Sequence, residues 1–295
     1  MRKEQPLVSI LMTSYNREKY IADAIESVLA STFTDFELII VDDNSKDSTL
    51  NIAKSYAAKD TRIKVYVNDS NLGDYKNRNK ASSYAIGKYI KYVDADDTIY
   101  PWGLGVVVNY MEQFPEAGYG LDSLEQDPDR PFPILLDPKE AYERHYFFMP
   151  VFHKAPTSCI IRREVFIECN GFSGKWMVGD FELWLKLSRT KNVLLMPMGI
   201  VWSRVHDEQE SKKTRDNSSV LFRYFVVELE NLKDSNCPLS SSKKNLLIKR
   251  IIRAQSTSIL RSLFIDKDIK VAKEKMKMSG FTILSCIANA FKKRK

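Results

Sequence analysis

The sequence predicts an α/β fold: a mixed, mainly parallel sheet flanked by helices, with a helical appendage after it. Three observations carry this. Short apolar runs alternate with amphipathic stretches through the first hundred residues, the pattern of βαβ units. Three of those runs end in polar or acidic residues, as strands do where they meet a ligand-binding edge. Finally, charge divides the chain of 295 residues. Residues 213–295 hold 19 Lys and Arg against 7 Asp and Glu, while residues 1–212 hold 26 against 31. An acidic body with a basic tail predicts a domain at 1–212, with halves 1–100 and 101–212, and a basic helical region at 213–295.

Leu7 to Met12 is the first strand, and Thr13-Ser14-Tyr15-Asn16-Arg17 breaks it with turn-compatible residues. Ile21, Ala24, Ile25, Val28 and Leu29 recur at helical spacing. Phe36 to Val41 is a second strand, ending in Asp42-Asp43. A helix through Leu50, Ile52, Ala53 and Tyr56 follows, capped by Asp47 or Ser48. Ile63–Val67 is a third strand, Asn68–Gly73 a loop, and Arg78–Ile86 a helix. Tyr89 to Val93 is the fourth strand and runs straight into Asp94, Asp96 and Asp97. Three carboxylates in four residues repel one another and suit a hard divalent ion, Mg²⁺ or Mn²⁺. They equally suit an acidic turn or a helix N-cap.

Leu104 to Phe114 is a helix stopped by Pro115 and Gly118, and residues 122–138, rich in Asp and Pro, read as a loop. Thr157 to Phe166 reads as a strand and a short helix, closed by Gly171-Phe172. Gly179 to Leu187 is a helix with Phe181, Trp184 and Leu185 on its buried face and Asp180 at its start. Aromatic faces suit the C–H faces of sugars, which makes Trp176 and Trp184 candidates for such a contact, with core packing expected of Trp184. Val201 to His206 is a strand. In the tail, residues 216–232, 245–265 and 281–291 read as helices, followed by Lys292-Lys293-Arg294-Lys295. Basic amphipathic helices of this kind dock on an anionic membrane surface, on a partner protein or on the body of the chain.

Several classes are disfavoured. There is no GxxxxGK[ST] and no GxGxxG after the first strand, which argues against a P-loop or a dinucleotide site. No RNA- or groove-reading motif accompanies the basic charge, so no nucleic-acid partner is expected. The cysteines at 159, 169, 237 and 286 lack CxxC spacing and are expected to be free thiols in a reducing compartment. No apolar h-region follows Met1–Pro6, and no run approaches the roughly 20 apolar residues of a membrane span. The expected location is therefore the cytoplasm, peripheral on the inner face of the membrane.

VSILMTSYNREKY from Val8, FELIIVDDNSKDST from Phe36 and NLGDYKNRNKASSYAIGKYIKYVDADD from Asn71 resemble the family 2 glycosyltransferases of the GT-A fold. The order and spacing of the blocks match, over roughly residues 6–212. The resemblance implies an inverting transfer from a nucleotide sugar, a UDP-sugar by expectation, to a glycan or lipid-linked acceptor. Thr13 and Tyr15 would flank the base, beside Asn16, and Asp43 would accept from it, which suits a uracil N–H. Arg78 would lie near the sugar diphosphate. Asp94-x-Asp96 would be the DxD-type motif, with Asp96 the first metal contact and Asp97 and His206 further candidates. Asp180 would be the catalytic base. The commoner pattern there is Glu-Asp, and this chain has Gly179-Asp180. A nucleotidyltransferase and an inactive sugar-nucleotide-binding scaffold are the alternatives.

Overall fold

The computed structural model describes residues 5–209, 212 and 218–291. It divides into two units, Met1–Val205 and His206–Lys295. Lys292–Lys295 and the boundary expected at 212/213 fall on or beside residues outside those described.

The first unit is built on four parallel strands, β1 (Val8–Ser14), β2 (Phe36–Asp42), β3 (Ile63–Val67) and β4 (Tyr89–Tyr92), joined by α1 (Ile21–Leu29), α2 (Thr49–Ala57) and α3 (Asp74–Ser82). Parallel strands covered on both faces need apolar residues at consecutive positions, and Ile10, Leu11, Met12, Leu38, Ile39, Ile40 and Val41 are all fully buried. In register, Val8 pairs with Phe36 on one side and Tyr89 on the other, so the carboxyl ends of β1, β2 and β4 share one edge. The chain continues through β5 (Thr98–Ile99), α4 (Gly103–Gln113), β6 (Ala117–Leu124), β7 (Ile134–Leu136), α5 (Pro138–Phe147), β8 (Cys159–Arg162), α6 (Arg163–Glu168), α7 (Gly179–Leu187), β9 (Asn192–Pro197) and β10 (Val201–Trp202). The sheet order is β3-β2-β1-β4-β8-β6-β9-β7, with β8 antiparallel to both β4 and β6. Lys91 sits inside β4 with no exposure, where Nζ reaches Asp122 Oδ2 at 2.8 Å and Thr157 O at 2.5 Å. A lysine is tolerated there because both its charge and its hydrogen-bonding capacity are met by β6 and the chain before β8.

Several elements differ from the sequence reading. Helix α3 starts at Asp74, four residues before Arg78, and ends at Ser82. Its sequence has no apolar stripe; Gly73 at φ 82° turns the chain into it. Residues 122–138 are not one loop. β6 runs on to Leu124, and Ile134–Leu136 pairs antiparallel with β9 as a three-residue strand too short to show a period. Helix α5 and strand β9 were not foreseen. Yet α5 carries a capping box, with Glu140 N–H donating to Asp137 Oδ1 at 2.8 Å and Asp137 N–H to Glu140 Oε2 at 3.0 Å, and Pro138 follows the cap. Of the strand expected over Val201–His206, only Val201–Trp202 pairs, with β5.

The second unit contains α8 (Ser218–Lys233), α9 (Ser241–Phe264), α10 (Ile269–Ser279) and α11 (Ile283–Phe291). Helix α9 packs against the other three. Phe222, Ile259 and Cys286 form the buried centre, with Phe225, Leu263, Met276 and Phe281 around them. Lys275 is buried and donates to Ser258 Oγ at 3.0 Å and Ser262 Oγ at 2.9 Å. In the stretch 245–265, Leu247, Ile251 and Ile259 are buried, while Ile248, Ile252 and Leu263 are half-buried. All four cysteines are free thiols. Among the described residues no helix is long and apolar enough to cross a membrane.

Candidate active site

The shared edge of β1, β2 and β4 gathers most of the expected site residues. Thr13 is half-buried near the end of β1, and Tyr15, just beyond it, is 42% exposed. Asn16 adopts a left-handed backbone at φ 53°, its N–H donates to Ser45 Oγ at 2.9 Å and its Oδ1 accepts from Lys46 N–H at 2.8 Å. It therefore ties the turn after β1 to the turn after β2. Asp42 is buried and structural, accepting from Ser14 Oγ at 3.3 Å, Ser45 N–H at 2.9 Å and Ser45 Oγ at 2.5 Å. Asp43 holds the loop before α3: it accepts from Asn68 Nδ2 at 2.7 Å, Gly73 N–H at 2.9 Å, and Leu72 N–H, which is shared between Oδ1 at 2.9 Å and Oδ2 at 3.0 Å. Each Asp43 oxygen therefore has one donor of its own, Asn68 Nδ2 on Oδ1 and Gly73 N–H on Oδ2, besides the shared Leu72 N–H.

The acidic turn after β4 is covered by arginines. Arg78, buried on α3, places Nη2 2.7 Å from Asp94 Oδ1 and Nε 2.7 Å from Asp74 Oδ1. Burial opposes its charge, but Asp74 and Asp94 outweigh it and hold the guanidinium well above its usual range. Arg17 donates Nε to Asp96 Oδ2 at 2.9 Å. Arg204 donates its backbone N–H to Asp97 Oδ1 at 3.0 Å and Nε to Asp96 O at 3.1 Å. Ser203 Oγ adds a bond to Asp97 Oδ2 at 3.3 Å. Even so, burial, and then the charges of Asp94 and Asp96, push the Asp97 carboxyl up to about 7. Burial also raises Asp94 above the ordinary carboxylate value despite Arg78.

Among the described residues no group of three or more His, Cys, Asp or Glu side chains is arranged to hold a metal ion. The donor set nevertheless fits Mg²⁺ or Mn²⁺ in kind: oxygen-only, crowded, and with more negative charge than the arginines relieve. His206 begins the second unit, and its N–H donates to Gln209 Oε1 at 3.4 Å.

Asp180 lies in the first turn of α7. Its Oδ1 accepts from Phe181 N–H at 2.7 Å and from Tyr75 OH at 3.3 Å. Burial pushes its carboxyl up to about 6, against the lowering effects of the Phe181 N–H and the Arg78 guanidinium. Arg78 thus acts on both the acidic turn and Asp180. The departure at Gly179 has a physical cause. A Cβ built there would sit 2.7 Å from Tyr75 Cε2 and 2.9 Å from Cδ2 and Cζ. The Tyr75 ring fills the place, held by Phe172 with centroids 5.1 Å apart, and its hydroxyl supports Asp180. Trp184 is fully buried, stacked on Tyr119, with Nε1 donating to Lys154 O at 2.7 Å, so it belongs to the core. Trp176 is 46% exposed.

Sequence reasoning missed Arg17, Arg204 and Tyr75. Arg17 and Tyr75 lie inside the blocks quoted above, next to Asn16 and three residues before Arg78, but their acidic partners Asp96 and Asp180 are far away along the chain.

The family model described as Glycosyl transferase family 2 matches residues 9–169. An uncharacterized glycosyltransferase of Haemophilus influenzae is 27% identical over 302 residues, covering 96% of this chain and 90% of that protein. TuaG of Bacillus subtilis, assigned to teichuronic acid biosynthesis as a glycosyltransferase, is 42% identical over 132 residues, 43% of this chain and 52% of its own length. In fold, the chain is similar to S. aureus TarS (residues 1–349) crystallised with UDP-GlcNAc, at a TM-score of 0.70 and 18% identity, covering 96% of this chain and 81% of that one. With that family model spanning more than half of its length, the chain belongs to glycosyl transferase family 2 and is a glycosyltransferase of the GT-A fold.

Proposed function

We propose that this glycosyltransferase moves a sugar from a UDP-sugar to an acceptor hydroxyl, with inversion, in the assembly of a cell-envelope polysaccharide or related glycoconjugate. The observation that carries the reading is Asp180: a half-buried carboxylate, raised toward neutrality and aimed by Tyr75 and Phe181, within the field of the same arginine that grips Asp94. The UDP choice and the envelope setting are supported by the TarS complex and by TuaG.

Asp180 takes the proton of the acceptor hydroxyl as that oxygen attacks the anomeric carbon; a positioned base contributes ~10²–10⁴-fold. Direct displacement needs no enzyme nucleophile and inverts the centre. Tyr15 stacks on the base, with Thr13 and Asn16 forming the turn that holds it. Asp43 accepts the uracil N–H, the base taking the place of the shared Leu72 N–H on one of its oxygens. Arg78 faces the diphosphate and offsets the charge that builds as it leaves. Asp94 and Asp96, with Asp97 as a further donor, would hold Mg²⁺ or Mn²⁺, which when bound supplies Lewis-acid stabilisation of the leaving diphosphate. Arg17, whose Nε donates to Asp96 Oδ2 at 2.9 Å, is the cation that such an ion would neighbour or displace.

A thermal-shift panel of nucleotide sugars, with Mn²⁺ and with EDTA, tests this. UDP-sugars are expected to raise the melting temperature most, with the gain lost in EDTA and restored by Mn²⁺. A preference for guanine or adenine nucleotides would overturn the donor. Indifference to chelator would remove the metal. Binding without turnover of any donor would leave a scaffold.

A further inference from the structure

Helix α11 has no charged side chain along its nine residues, Ile-Leu-Ser-Cys-Ile-Ala-Asn-Ala-Phe. Cys286 is buried and packs with Phe222 and Ile259. At 100° per residue the opposite face carries Leu284, Ile287, Ala288 and Phe291. Leu284 and Phe291 are each 79% exposed and Ile287 is 41% exposed. Single exposed apolar residues are ordinary, but three large ones at i, i+3 and i+7 make a stripe. The sequence then runs directly into Lys292-Lys293-Arg294-Lys295, and from Phe281 to Lys295 it has no acidic residue.

Apolar stripe and basic run together select the occupant. A second copy of this chain would bring the same positive charge and be repelled. A nucleic acid would have no use for a Leu-Ile-Phe face. An anionic lipid surface meets both, with acyl chains for the stripe and headgroups for the cations. Phe264, Ile265 and Ile269, also exposed in this unit, lie in a run whose Asp266 and Asp268 cancel Lys267 and Lys270, so it lacks the positive excess that such a surface selects.

We propose that α11 lies in the plane of an anionic membrane, with Leu284, Ile287 and Phe291 inserted below the headgroups, the positive charge of the following Lys-Lys-Arg-Lys sequence favouring acidic lipid. This relocates the docking element from the stretch 245–265, where Leu247, Ile251 and Ile259 are buried and Ile248, Ile252 and Leu263 are half-buried. It stands independently of the reaction proposed above.

The test uses the full chain and sedimentation with vesicles. One set is phosphatidylcholine; in the other about one lipid in three is phosphatidylglycerol. The wild type is expected to sediment with the anionic set only and to be released by salt. The triple variant Leu284→Ser/Ile287→Ser/Phe291→Ser should bind on the order of 100-fold more weakly. The quadruple variant Lys292→Gln/Lys293→Gln/Arg294→Gln/Lys295→Gln should do the same, and it keeps the proposal testable should the triple variant misfold. Wild type that stays in solution with both vesicle sets overturns the proposal. So do variants that sediment like the wild type, and a wild-type dimer that the triple variant dissociates without any vesicle binding.

Discussion

Asp180→Asn is expected to transfer no sugar at a measurable rate, to bind UDP as tightly as the wild type, and to melt at a higher temperature. The loss follows from the role: an amide cannot take the acceptor proton, and the positioned base is worth ~10²–10⁴-fold. Retained UDP binding follows because the nucleotide is assigned to Tyr15, Asp43, Arg78 and the acidic turn. The gain in stability follows from the pKa. The Asp180 carboxyl is raised from 3.8 to about 6, chiefly by burial. A carboxylate whose folded value lies above its unfolded one is charged in the native state at a cost. That cost is absent below the unfolded value, grows through the interval, and is complete above the folded one. Near neutral pH it amounts to at most about 3 kcal/mol, and Asn, which still accepts from Phe181 N–H, removes it. The advantage of the variant should therefore vanish as pH falls toward 4. Calorimetry at two pH values with UDP titration checks all of this. Equal loss of turnover and UDP binding would remove Asp180 as base, and a lower melting temperature above pH 6 would contradict its strained burial.

Gly179→Glu, which restores the commoner Glu-Asp pair, is expected to damage this protein. The added Cβ falls 2.7 Å from the Tyr75 ring, well inside contact distance. The ring is fixed by Phe172 and its hydroxyl holds Asp180, so displacing it moves the base as well. Overpacking of this kind costs about 1–3 kcal/mol. Misplacement of a reacting group by an ångström costs on the order of 100-fold in rate. Gly179→Ala combined with Tyr75→Leu should recover part of the stability that Gly179→Ala alone loses, because the two positions share one space. A Glu variant with wild-type turnover and melting would mean that the ring moves aside freely.

The parallel half of the sheet was legible because its strands are buried on both faces, so residues such as Ile10–Met12 and Leu38–Val41 form unbroken apolar runs. What was not legible lacks such a period. β7 is three residues between prolines and acids, α3 has no apolar stripe, and α5 announces itself only through its Asp137–Glu140 cap. The acidic strand end and the candidate base were visible as residue types at strand and helix ends. Their neighbours were not. Arg17 reaches Asp96 across 79 positions and Tyr75 reaches Asp180 across 105, and no local pattern encodes such pairs. Asp43 shows the converse: the sequence pointed to the right edge, while the loop it anchors emerges only from the fold.

The central claim is a single displacement at the anomeric carbon driven by Asp180. Proton NMR of the first sugar released from an α-linked UDP-sugar, to acceptor or to water, tests it most directly. The account predicts the β anomer, formed before mutarotation and lost in Asp180→Asn. An α anomer as first product would require two displacements or a different geometry at the carbon, and would contradict it.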